Sequence, residues 1–445
     1  MRILESIGLG IPSVLLPRPG VDLQKWAVIA CDQFTSEPEY WHGVEAFVDD
    51  APSTLNLIYP EVHLGESQPE VRIKKIRAAM NRYLEDGLFE ERPGFVYIER
   101  RVGRQTRRGL LACVDLERYD YTKGSRSLIR ATEGTILERI PPRVKIREGA
   151  PLELPHIMVL FDDPGQTVIG PLEAGRSQHE KLYDFELMLG SGLLAGYRVV
   201  NPALEEGVVR SLQQLADPGV FEKKYGLSPG APVLLFAMGD GNHSLATAKA
   251  IWEKTKDAAA DTKALPAGPL RYALVELVNL YDPALVFEAI HRVLFDVAGR
   301  PGLAKTLEQK FGTAFRLKPA AGLDAMKNEV EGQKGLPQKV GLLSAAGCEI
   351  IELAKPEFVL PVGTIQNFLD TFLAEKQARS IDYVHGLDSV NSLGRKPGNI
   401  GFFLPAMNKT DLFKTVILDG ALPRKTFSMG EAKDKRFYME ARKLF

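Results

Sequence analysis

The chain has 445 residues, 45% of them hydrophobic and 25% charged, with a formal net charge of -1. That length suffices for two or three domains with real cores, and the balanced charge disfavours a nucleic-acid role. No run approaches the roughly 18 apolar residues of a membrane span. The opening MRILESIGLGIPSVLLPRPG is too broken by Gly and Pro to be a signal peptide, so a cytoplasmic location is expected.

WAVIAC at 26–31 reads as a strand that delivers Asp32 to its carboxyl end, where α/β proteins place ligands. Ser36 followed by Glu37, Pro38 and Glu39 marks a helix start. Residues 69–85 predict an amphipathic helix with Val71, Ile76, Met80 and Leu84 on one face. Residues 95–101 and 109–116 alternate as a strand pair, and the basic run 101–108 between them reads as a solvated hairpin tip. A strand at 157–161, a helical pattern around 177–189, a strand at 199–200 and a helix at 205–215 follow.

The run PVLLFAMGDGNHS, 232–244, is the most informative. It predicts a buried strand, a tight loop of Gly239, Asp240, Gly241, Asn242 and His243, and a helix carrying Leu245, Ala248, Ile251, Trp252 and Thr255 at helical spacing. Such a join aims free backbone N–H groups and the positive helix end at one spot, which suits phosphate. Gly239 and Gly241 leave no Cβ in a ligand's way, while Ser244 or Asn242 can cap the helix. Asp240 can hold a metal such as Mg²⁺, and His243 can move a proton. The same residues also fit an ordinary strand-to-helix turn with a capping Asn242.

Residues 257–269, DAAADTKALPAGP, read as a linker or mobile loop. Beyond it, strands are expected at 272–280, 315–318, 340–343, 349–353, 381–384 and 400–404, with helices at 302–310, 323–330, 363–376 and 409–418. This interleaving predicts an α/β to α+β fold with mixed sheets and a second α/β region at 270–445 contributing to the cleft.

Other motifs fail on chemistry. GPLEAGRS at 170–177 approaches a phosphate loop, but Pro171 removes an amide and Glu173 repels an anion. Cys31, Cys113 and Cys348 form no metal or disulfide pattern, and the seven histidines show no i, i+4 pair.

Several ordered segments carry a resemblance: Asp240-Gly241-Asn242-His243-Ser244, the run from Arg130 through Glu133 to Thr135, His291-Arg292, Tyr383-Val384-His385, and Leu422 to Thr426 with Arg424 and Lys425. In these the chain resembles a family of unknown function with a ParB/sulfiredoxin-like fold, whose members carry D-G-H-H-R at the loop. The resemblance implies such a core over residues 1–256. It also implies nucleotide binding, ATP or ADP with Mg²⁺, and phosphoryl transfer to a small molecule or nucleotide hydrolysis. Ser244 stands where that family has its arginine, so another cation must meet the phosphates. Arg139, Arg143, Arg292 and Lys425 are the candidates, with Glu133 as carboxylate base. The competing reading is a non-catalytic nucleotide or metabolite sensor acting through a protein partner. Oligomeric state is left open.

Overall fold

The structure, a computed structural model, describes residues 1–135, 137–258, 268–297, 300–430 and 432–445. The chain divides into two units, Met1–Leu285 with Glu431–Phe445, and Val286–Gly430. Both are mixed α/β, as the alternation of periods predicts.

In the first unit the strands around the site are β1 (Val28–Ile29), β2 (Val96–Val102), β3 (Gln105–Asp115), β4 (Ile129–Arg130), β5 (Met158–Phe161), β6 (Glu180–Glu186), β7 (Leu193–Arg198), β8 (Phe236–Asp240), β9 (Tyr272–Asn279) and β10 (Phe437–Tyr438). The helices used below are α1 (Pro69–Glu85), α2 (Ile140–Arg147), α3 (Pro202–Leu215) and α4 (Asn242–Ala258). The main sheet runs β6-β7-β2-β3-β9-β5-β8-β4, ending on Tyr119–Asp120. Within it β5 is parallel to β9 and antiparallel to β8, and β8 is parallel to β4.

Strand alternation splits the core in two. Leu111 and Cys113 of β3 and Tyr272 and Leu274 of β9 face one cluster with Trp26, Trp41, Ile76 and Met80. Leu110, Ala112 and Val114 with Ala273, Val275 and Leu277 face the other, covered by Val208 and Leu212 of α3 and Leu245, Ala248 and Trp252 of α4. All eight residues of β9 are buried, as a central strand covered on both faces requires.

Some expectations change: the strand expected at 26–31 is only Val28–Ile29, and the one expected at 199–200 is absent, Leu193–Arg198 being the strand there. The division at 257–269 does not mark the boundary: β9 pairs with β3 and β5 inside the first unit, which extends to Leu285 and takes back the C-terminal residues. Residues 259–267 of the expected linker lie outside the described residues. The helical pattern around 177–189 is largely strand, because β6 finds a full antiparallel partner in β7. Helix α1 has its expected span, but Val71 is exposed and the buried face is Ile73, Ile76, Ala79, Met80 and Tyr83.

The second unit is a mixed α/β layer of its own. Its sheet runs Phe315–Pro319, Gly347–Leu353, Gln338–Ser344, Ile400–Phe403, Phe287–Phe295, Ser380–His385, with Phe427–Met429 also paired to Phe287–Phe295. Val293, Leu343, Ile350 and Phe403 pack under helix residues Met326, Val330 and Val390. Among the described residues no helix is long and apolar enough to cross a membrane.

Candidate functional site

Strand β8 ends at Asp240 and α4 begins at Asn242, so a single residue, Gly241, makes the turn. Leu245 N donates to Gly241 O at 3.1 Å, which makes Gly241 the N-cap. The amides of Asn242, His243 and Ser244 then belong to the first turn, where the helix supplies no carbonyl to receive them. The loop is thus shorter than its sequence suggests, and its glycines serve packing. A Cβ on Gly239 would come within 2.9 Å of Leu160 Cγ, and one on Gly241, whose φ is +79°, within 3.1 Å of Ile157 Cα. Both face the neighbouring strand β5 rather than clearing a ligand's path.

Asp240 accepts from Gly241 N at 3.0 Å, and its other oxygen lies 3.3 Å from Lys435 Nζ. Lys435 is the cation at this turn that the sequence reading missed, and it arrives on the returning C-terminal segment. That segment is anchored by buried charge. Arg436 donates to Pro155 O at 2.9 Å and to Glu440 Oε2 at 2.5 Å, and pairs with Glu276. Burial pushes the Glu276 carboxyl up, but Arg107 and Arg436 together hold it below the usual carboxylate range. Strand β10 pairs with β1, and Trp26 donates to Met439 O at 2.9 Å.

A second cluster surrounds Ser244. Its Oγ lies 3.0 Å from His156 Nε2, and His156 Nδ1 lies 2.7 Å from the Tyr438 hydroxyl. Tyr438 also accepts from Cys31 N at 3.2 Å, and Asp32 Oδ2 stands 3.7 Å from His156 Nε2. Burial pushes the Cys31 thiol far up, and likewise the Tyr438 phenol, so both remain protonated. His156 and Ser244 line a cavity of about 140 Å³. Neither His156 nor Tyr438 carries a sequence signal, because no local spacing links residues 31, 156, 244 and 438.

The other sequence candidates are distributed differently. Thr132 Oγ1 donates to Met238 O at 2.8 Å, and with β4 parallel to β8 this carries the half-buried Glu133 along the end of β8. His243 is half-buried, and its carbonyl accepts from Thr247 Oγ1 at 2.7 Å. Asn242 Oδ1 is buried and finds no hydrogen-bond partner among the described residues. Arg143 lines the cavity, paired with Glu61 at 2.9 Å. The side chain of Arg139 lies outside the described residues.

Arg292 corrects its expected role. It is fully buried in the second unit, bonded to Gln366 Oε1 and to Arg424 O, each at 3.0 Å, and set on the Tyr383 ring, so its guanidinium is spent inside a core. Lys425 sits exposed in a turn of the same unit, with φ +56°. No group of three or more potential metal ligands occurs among the described residues, and Asp240, expected to hold a metal, faces Lys435.

The chain belongs to the family of proteins of unknown function DUF1015, whose model matches residues 15–372. No curated protein matches it. Among solved structures it is similar to a free serine kinase variant in complex with ADP, at 9% identity and a TM-score of 0.40, over 75% of this chain and 92% of that one. It is also similar to a conserved hypothetical protein from Pyrococcus furiosus, at 10% identity and a TM-score of 0.35, over 75% of this chain and 97% of the other. A third is SbnI with a C-terminal truncation from Staphylococcus aureus, at 10% identity and a TM-score of 0.33, over 72% and 83%. None of these likenesses bears on the chemistry of the site.

Proposed function

We propose that the protein is a nucleotide-binding enzyme with a ParB/sulfiredoxin-like core in its first unit. It seats the phosphates of ATP or ADP on the first turn of α4 and catalyses phosphoryl transfer to a small molecule. The observation that carries this reading is the turn itself: three first-turn amides of a 17-residue helix stand beside the Asp240–Lys435 pair. Helix amides and dipole favour an anion there, and Lys435 supplies the charge that Ser244 cannot. Asp240 positions Lys435 by charge and offers a carboxylate to Mg²⁺ entering with the nucleotide. His243 contacts phosphate. Glu133 lines the β8 end of the site.

Magnitudes shape the test. A micromolar ligand needs about 8 kcal/mol, whereas a helix terminus contributes at most about 2. Free phosphate should therefore bind weakly and a whole nucleotide much better. Melting curves with inorganic phosphate, AMP, ADP and ATP, each with and without Mg²⁺, should rank the nucleotides above phosphate. Stabilisation by none of them would refute the reading.

A further inference from the structure

Ser244 and Thr247, one helical turn apart on α4, line the cavity, which at about 140 Å³ approaches the roughly 150 Å³ that holds benzene in an engineered apolar pocket. Most of its wall is aliphatic, including Leu57, Ile58, Ile76, Met80, Leu152 and Leu274. Its charges cancel. Arg143 is met by Glu61, and Arg147 by Glu153, which also binds Arg442. Because each of these charges is already paired within the protein, an ionic group entering the cavity would have to break an existing pair to be answered, so the wall favours a neutral occupant.

The polar end is the chain Ser244–His156–Tyr438, with Asp32 alongside. With the proton of His156 placed on Nδ1, the Tyr438 hydroxyl accepts from it, as it does from Cys31 N. That tautomer leaves the Nε2 lone pair facing the Ser244 hydroxyl.

We propose that this cavity holds the phosphoryl acceptor, a small neutral alcohol with an apolar body of about benzene size, and that His156 is its general base, reached through Ser244. The inference rests on the nucleotide reading above. With ATP as donor, the acceptor oxygen bonds to the terminal phosphorus as the bond from that phosphorus to its bridging oxygen breaks and ADP leaves. The acceptor's hydroxyl proton passes to Ser244 Oγ while the serine proton passes to His156 Nε2. Ser244 is neutral before and after, and the Asp32 carboxylate stabilises the imidazolium. This gives His156 the part that the sequence alone offered to Glu133.

The experiment follows ADP release from ATP and Mg²⁺ with benzyl alcohol, 3-methylbutan-1-ol, glycerol or L-serine as acceptor, with mass spectrometry of the products. An apolar alcohol should raise the rate about tenfold or more and yield its phosphate ester, while glycerol and L-serine do neither. His156→Gln should lose about a hundredfold of that stimulated rate yet keep the ATP-induced melting shift. Ala150→Leu, which adds bulk to the cavity wall, should do the same and serves if the histidine variant does not fold. Stimulation confined to glycerol or L-serine, no stimulation at all, phosphate accumulating on Ser244, or a cavity variant at full rate would each overturn the inference while the nucleotide reading stood. Absence of any ATP-induced melting shift would instead remove the nucleotide reading, and the inference with it.

Discussion

Lys435 Nζ lies 3.3 Å from Asp240 Oδ2, so the last segment of the chain supplies the cation for a turn built near its middle. Both groups are partly exposed, which limits what the pair contributes to stability. Lys435→Ala should therefore change the melting temperature little while weakening ADP binding about tenfold, the effect of losing one phosphate contact of about 1.4 kcal/mol. Calorimetric titration of wild type and variant at two salt concentrations measures this, and the wild-type affinity should fall more steeply with salt.

Gly241 carries a φ of +79° and its absent Cβ faces Ile157 Cα at 3.1 Å. Gly241→Ala therefore combines left-handed strain with a tight approach to the Ile157 backbone. A loss of about 1–3 kcal/mol is expected in urea unfolding, together with a diminished nucleotide response as the first turn of α4 shifts. An unchanged midpoint would show that the turn relaxes freely.

Arg436 joins Glu276, Glu440 and Pro155 O in a site that excludes water. Arg436→Met takes the shared guanidinium from two buried carboxylates, leaving Glu440 without its ion pair and Glu276 with Arg107 alone, and denaturant titration should report a loss of about 3–5 kcal/mol. Because Lys435 precedes it and Tyr438 follows it, nucleotide binding should weaken as well, through the position of the segment.

His291 gives the second unit an acid sensitivity. Burial, then the neighbouring Arg292 charge, pushes its imidazole down to about 4, while the unfolded ring titrates near 6.5. Between those values the unfolded chain binds the extra proton, so stability falls as pH drops through that window, by roughly 3 kcal/mol in all. Its Nδ1 accepts from Leu404 N at 3.1 Å, and glutamine keeps an acceptor there. Urea unfolding at pH 7 and pH 4.5 should show this component in wild type and not in His291→Gln. A parallel loss in the variant would place the effect elsewhere.

Much of the fold was legible because its signals are local. The strand of Phe236–Asp240 and the helix of Asn242–Ala258 follow from an apolar run, a glycine turn and helical spacing through Trp252. Residues 180–186 misled because Leu182, Phe185 and Leu189 also fit a helix, and only pairing with Leu193–Arg198 decides for strand. The candidate site was legible at Asp240 through Ser244, at Asp32 and at Arg143, and opaque at His156, Lys435 and Tyr438. His156 has no motif around it, and Lys435 and Tyr438 enter through pairing of Phe437–Tyr438 with Val28–Ile29, a contact no spacing announces. Arg292 looked like a phosphate ligand on residue type alone, and its burial could be known only from the packed core.

The central claim is that phosphate sits on the first turn of α4. Titrating ADP into ¹⁵N-labelled protein and following backbone amides tests it most directly. The amides of Asn242, His243 and Ser244 should move first and furthest, saturating with the ligand. Perturbations confined to other residues, with those three unmoved at saturation, would contradict it.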